Sequence, residues 1–340
     1  MKILYAIQGT GNGHLSRAKD VIPILKRKGE VDILISGIQA DLKLPHEVKY
    51  NLKGLSYIFG KNGGIDYQKT YLKSKSKRFY NEIKNLPVED YDLIISDFEP
   101  VAAWAAKSKG VLCIGLSHQC AVLNEFAPKP KKNNLLGKLI LKKYAPVDKA
   151  YGFHFQSYDT DIFTPIIRQE IRNLRTTNQG HYIVYLPSYD DQKILNVLTQ
   201  IKGIKWQVFS KHNQRVLSYK NVGIRPVDNE KFLKSFANCS GILCGAGFEA
   251  SAEALFLGKK LMVIPMKGQY EQQCNAAALA EMRVPMIKKL KKKNIGKIKD
   301  WIADDRIIKV DYPDETEKII DYILTNHTNE TTTGDSKIQE

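Results

Sequence analysis

Lys2-Ile3-Leu4-Tyr5-Ala6-Ile7 runs almost directly into Gly9-Thr10-Gly11-Asn12-Gly13-His14, and a helical pattern follows over 16–28. A short continuous apolar run reads as a buried strand, because a strand covered on both faces needs no polar alternation. Strand, glycine turn and helix in that order begin a parallel sheet wrapped by helices. The alternation recurs, with strands expected at 31–36, 93–96 and 111–116 and helices at 69–85 and 100–109. It breaks through the Lys-, Pro- and Asn-rich 127–146 and again at 165–180. It restarts at 181–186 and continues with strands at 205–210, 241–244 and 261–264.

The reading is therefore α/β, with two Rossmann-like doubly wound domains facing across a cleft. Their expected limits are 1–165 and 166–325, with a flexible polar tail at 326–340. A chain of 340 residues suits two cores better than one. Hydrophobic residues at 43% and charged residues at 26% fit a folded globular chain and exclude a disordered or fibrous one. No apolar run approaches the ~20 residues of a membrane span, and the first is too short for a signal-peptide core, so a cytoplasmic protein is expected. The five Cys lack metal-like spacing and read as reduced thiols.

Lys and Arg exceed Asp and Glu by 52 to 36, a formal charge of +16 that favours an anionic partner. The stretch 129–143, from Lys129 to Lys143, holds six Lys and no acid, and 288–299 holds seven and none. In the first, Leu135, Leu136, Leu139 and Ile140 can form an apolar stripe beside Lys138, Lys142 and Lys143. That pattern suits an anionic membrane surface or, equally, a packed helix with solvated Lys. The second reads as a solvated face. Nucleic acid is not expected as a partner, because no aromatic residues interleave the Lys.

Ligands of doubly wound sheets bind beyond the carboxyl ends of strands, so the chemistry is sought in the loops there. The first glycine loop fails as a dinucleotide fingerprint. His14 stands where a third Gly is needed, and Ser36-Gly37 close the second strand without an acid. What remains is an imidazole on a glycine turn at a helix start, able to take a proton from a hydroxyl. Asp97, after the third strand, is a candidate to orient it. The competing reading has Asp97 capping the helix near Pro100 and His14 bonding only backbone. His118, at the same sheet edge, is either an acceptor-side group or a satisfied core histidine.

In the second half, Cys244-Gly245-Ala246-Gly247-Phe248-Glu249 leads from a strand into a helix that carries Glu253. Backbone N–H groups at such a turn suit a diphosphate, and a carboxylate two turns on suits a ribose diol. Glu271, Gln272 and Asn275 follow the next strand, where planar polar groups suit sugar hydroxyls. Two Asp-x-Asp strings, Asp90/Asp92 and Asp159/Asp161, read as surface acids, and no metal site is expected.

These motifs in this order, spread over roughly 1–290, resemble the GT-B nucleotide-sugar glycosyltransferases of families 1 and 28. The resemblance implies an inverting, metal-independent transfer from a nucleotide-diphosphate sugar, UDP by preference, to a lipid or glycan hydroxyl. No cofactor is implied beyond that co-substrate. His14 becomes the general base and Asp97 its partner, with Gly11, Asn12, Gly13 and His118 on the acceptor side. Donor contacts fall on Ser188, Gly245, Ala246, Gly247, Phe248, Glu249, Glu253, Glu271, Gln272 and Asn275, and a base contact on 227–232. Two departures are Pro187 for the usual Gly before Ser188, and Ala246 where relatives vary. Peripheral attachment to the inner membrane face through 129–143 is a further expectation. The alternatives are a GT-B sugar-nucleotide epimerase and a non-catalytic anion- or membrane-binding module.

Overall fold

A computed structural model describes residues 1–37, 44–55, 76–131 and 134–332. The first sheet holds β1 (Lys2–Gln8), β2 (Glu30–Ser36), β3 (Tyr50–Leu52), β4 (Leu93–Asp97), β5 (Cys113–Ser117), β6 (Lys149–Phe153) and β7 (Ile162–Phe163). Their order is β3-β2-β1-β4-β5-β6-β7, every pair parallel. The second holds β8 (His181–Tyr185), β9 (Lys205–Ser210), β10 (Leu217–Tyr219), β11 (Val222–Pro226), β12 (Gly241–Cys244) and β13 (Lys260–Val263). Its order is β10-β11-β9-β8-β12-β13, parallel except for the antiparallel edge pair β10 and β11.

β4, β5 and β12 are buried at every position, which is why they read as unbroken apolar runs. Each sheet reverses its strand order once, between β1 and β4 in the first and between β8 and β12 in the second. The crevice at such a reversal is where doubly wound sheets take ligands. The register puts Ile7 opposite Asp97, so the glycine turn after β1 and the end of β4 open into the same crevice. Tyr185 pairs with Cys244, which brings the Ser188 loop beside Gly245–Gly247 in the second.

The helix expected at 69–85 is described over Ser76–Asn85; its earlier residues lie outside the described ones. The final helix, Thr316–Thr332, departs from the expected layout. It lies on the first lobe against the helix Asn12–Lys28, with Lys28 pairing with Asp321 at 2.7 Å and Arg27 with Glu317 at 3.0 Å. Residues 326–332 are thus helix where a tail was expected, and buried His327 takes the Tyr151 hydroxyl at 3.0 Å. Residues 333–340 lie outside the described ones.

Candidate active site

His14 stands in the first turn of the helix Asn12–Lys28, just past Gly11, whose φ of 98° only glycine adopts cheaply. Its Nδ1 meets Asp97 Oδ1 at 2.7 Å. Asp97 is fully buried. Burial works to raise its carboxyl, but the Arg17 guanidinium and His14 outweigh it and hold it below the usual range. An ionised carboxylate only accepts, so Nδ1 carries a hydrogen, and in the neutral ring that tautomer leaves the lone pair on Nε2.

Asp97 does not cap the following helix. Glu99 does, accepting the N–H groups of Val101 at 2.8 Å and Ala102 at 2.6 Å. Phe98, between them, adopts a left-handed φ of 56°, a strain of order 1–3 kcal/mol for an aromatic residue. The twist lets Glu99 cap while Phe98 stacks on Tyr144 at 4.7 Å, its ring 6.4 Å from that of His14.

His14, Thr10, Phe98, Gln119, Tyr144 and Glu271 line a cleft of about 220 Å³. One wall is the helix Leu135–Tyr144, through Leu136, Ile140 and Leu141. That helix rests on the second lobe, where a Cβ on Gly137 would fall 2.8 Å from the Tyr270 Cβ. Away from this contact Leu135 is 70% exposed, Leu136 68% and Leu139 52%, flanked by Lys138, Lys142 and Lys143. Lys132 and Asn133 lie outside the described residues. In 288–299 every Lys is exposed, in keeping with a solvated face.

Across the cleft, the helix Phe248–Phe256 begins at Gly247 without a side-chain cap, and a Cβ on Gly247 would meet open space. Its first turn therefore offers N–H groups to an anion. Glu271 is held toward the first lobe by Gln119, whose amide donates at 3.0 Å. Gln272 turns its Oε1 to the Met266 N–H at 2.9 Å. Ser188 is buried.

Several expected ligands are spent on structure. Glu253 is buried, and both its oxygens accept from Arg168, at 2.6 and 3.0 Å. It is not open to a ribose in this arrangement, because the linker between the lobes supplies a guanidinium whose fork matches a carboxylate. Asn275 is also closed. Its amide donates to the Ala246 carbonyl at 3.0 Å, and its Oδ1 lies 2.7 Å from His118 Nε2. His118 is accordingly no acceptor-side group. Its Nδ1 meets the Phe153 carbonyl at 2.7 Å, its ring stacks on Phe248 at 3.9 Å, and burial lowers its pKa from the usual imidazole value. The Ala246 and Phe248 side chains are buried, so only their backbone can serve a ligand.

Sequence reasoning missed Arg17, which links Asp97 to Glu249 across the lobes. Its spacing, one helical turn after His14, was the available signal. Arg168 had none, being one of three Arg, with Arg172 and Arg175, in the stretch between the two alternating patterns. The Asp-x-Asp acids serve locally: Asp92 accepts the Lys2 N–H at 2.7 Å, Asp159 the Asn124 amide at 2.8 Å, and Asp161 pairs with Lys149 at 3.2 Å. Among the described residues no three His, Cys, Asp or Glu are grouped to share a metal ion.

Solved structures with the same two-lobed arrangement are GT-B glycosyltransferases. MurG of Acinetobacter baumannii matches with a TM-score of 0.57 at 13% identity, over 95% of this chain and 99% of that one. UGT89C1 of Arabidopsis thaliana, solved with UDP, matches at 0.61 and 10% identity, over 96% and 99%. The kitacinnamycin glycotransferase matches at 0.57 and 13%, over 96% and 95%. At such identities the likeness shows the fold. The family follows from the sequence: the model of glycosyl transferase family 1 matches residues 1–304, and this chain belongs to that family. It is a glycosyltransferase. No curated protein matches it.

Proposed function

We propose that this protein is an inverting, metal-independent glycosyltransferase that moves a sugar from a nucleotide diphosphate, UDP by preference, to a hydroxyl on an acceptor with an apolar, lipid-like part. The observation that carries the reading is His14, its Nδ1 fixed by buried Asp97 and its ring facing a cleft whose opposite wall bears Glu271. His14 Nε2 takes the hydroxyl proton while the oxygen bonds to the anomeric carbon. The bond from that carbon to the diphosphate oxygen breaks, and the electron pair leaves with the diphosphate. The N–H groups of Gly247, Phe248 and Glu249, with the positive end of their helix, take the departing charge without a metal ion. Attack from the face opposite the leaving group inverts the anomeric centre. Glu253 serves the ribose only if Arg168 releases one of its oxygens.

The acceptor reading rests on the apolar wall. A hydroxyl beside His14 has Leu136 and Ile140 as neighbours, and these continue into exposed Leu135 and Leu139 among Lys side chains. A chain-bearing acceptor fits that track, and the Lys suit the anionic inner face of a membrane. We place the protein in the cytoplasm, peripheral to that face, with no cofactor beyond the donor. No helix among the described residues is long and apolar enough to cross a membrane. Family membership favours transfer over the epimerase and the non-catalytic binding module.

A thermal-shift screen of sugar nucleotides tests donor binding, because a ligand held only by the folded state raises the melting temperature. The active donor is then assayed with chelator present and with His14→Ala. Retained turnover in chelator and loss in His14→Ala by a factor of about 10² or more are expected. Near-native turnover of His14→Ala would refute the proposal.

A further inference from the structure

We infer that Arg17 is a positioning residue that makes the alignment of His14 on Asp97 depend on contact with the opposite lobe, through Glu249. The inference rests on His14 being the proton acceptor of the transfer. Arg17 is buried one turn after His14, its guanidinium 5.3 Å from the centre of the Phe153 ring. Its Nη2 donates to both oxygens of Asp97, at 2.6 and 2.8 Å, and its Nη1 donates to Glu249 Oε1 on the second lobe. Asp97 Oδ1 thus receives two donors, Arg17 Nη2 and His14 Nδ1. Those two nitrogens stand 3.3 Å apart and, both carrying hydrogen, cannot bond each other. The place that Nη2 takes on Oδ1 fixes the place left for the imidazole. A guanidinium is planar and stiff, so a pull on Nη1 is felt at Nη2.

Glu249 is seated by the first lobe as well. A Cβ on Gly13 would lie 2.9 Å from its Cγ, so the glycine turn leaves room for this side chain. The charges also close. With His14 neutral and Glu249 ionised, Arg17, Asp97 and Glu249 sum to one negative charge, and the proton that His14 takes from an acceptor brings the group to zero. The groups facing Glu249 are Arg17 and His14 from the first helix, Tyr5 from β1, Asp97 from β4, Arg168 from the linker and Glu253 on its own helix. Burial pushes its carboxyl up to about 7, with Arg17 opposing and Glu253 assisting. It therefore changes charge near neutral pH.

Removing Arg17 strands a buried carboxylate and endangers folding, so the test rests on Glu249. In protein labelled with ¹⁵N-histidine, the His14 Nδ1 proton, identified by its loss in His14→Gln, reports the alignment without substrate. The wild type is expected to show it sharp and slow to exchange, and Glu249→Ala to broaden or lose it. With the active donor, Glu249→Ala is expected to lower kcat about tenfold at an unchanged donor KM. Glu249→Gln retains a hydrogen bond to Arg17, so it keeps the resonance. A sharp resonance and full kcat in Glu249→Ala overturn the inference. If the resonance behaves as expected while no sugar nucleotide is turned over, the transfer reading fails and the positioning stands.

Discussion

Asp97 gives up its water on folding and keeps its charge, because a guanidinium and an imidazole replace that water on fixed bonds. Asp97→Asn keeps the shape but offers an amide where His14 needs an acceptor, and the ring can take the wrong tautomer. Turnover is expected to drop by about 10²–10⁴-fold with little change in donor affinity, measured as kcat and KM side by side. Glu99 shows the opposite balance. Burial pushes its carboxyl up to about 7 despite the Ser36 hydroxyl and two N–H donors. From the ordinary 4.5 to about 7 the folded chain binds more protons there than the unfolded chain, so this group makes stability fall as pH rises through that window. Glu249 acts in the same direction. Melting temperatures across the window should fall less steeply in Glu99→Gln than in the wild type.

Among the elements, the helix Leu135–Tyr144 stands out because its apolar side is turned outward. If that side meets a membrane, Leu135→Asp with Leu139→Asp should abolish sedimentation with anionic vesicles and leave the melting temperature within a degree or two, since both side chains are largely solvated already. Equal sedimentation of the double variant would remove the membrane reading. This helix also shows what sequence makes visible. Its stripe of Leu and Ile was readable, but whether the stripe faced core or solvent was not, since both produce the same spacing. The strands behave alike. β1, β4 and β5 were plain because they are buried runs and β2 because Ile33, Leu34 and Ile35 stand together, whereas β3 and β7 are too short to show a period, and β6 and β11 carry Lys, Gly, Arg or Pro. His14 and Asp97 were legible because strand ends bring them together. Arg17 was not, since its partners lie 80 and 232 residues away and read separately as the partner of His14 and a donor contact.

At the scale of the molecule, the lobes are tied through side chains that sequence motifs would assign to ligands. Glu253 with Arg168, Asn275 with His118 and Glu271 with Gln119 all bridge different parts of the cleft wall. Arg168→Ala should destabilise the fold by about 3–5 kcal/mol, because it leaves a buried carboxylate without its partner. Arg168→Ala with Glu253→Leu should recover much of that, read by denaturant unfolding. If the single variant melts like the wild type, Glu253 finds water there and is more open to the cleft than its burial indicates.

The chain passes between the lobes twice, once from Phe163 to His181 and once from Ala303 to Thr316. The two passages are fastened to each other: Arg172 donates to the Tyr312 carbonyl at 2.8 Å, and the Gln169 amide donates to Asp314. A door hung on two pins swings about one line only, whereas a single cord would let it spin and slide. Any widening of the gap to admit a bulky donor must therefore be a swing about that line, and a clamp across both passages would stall loading while leaving each lobe intact.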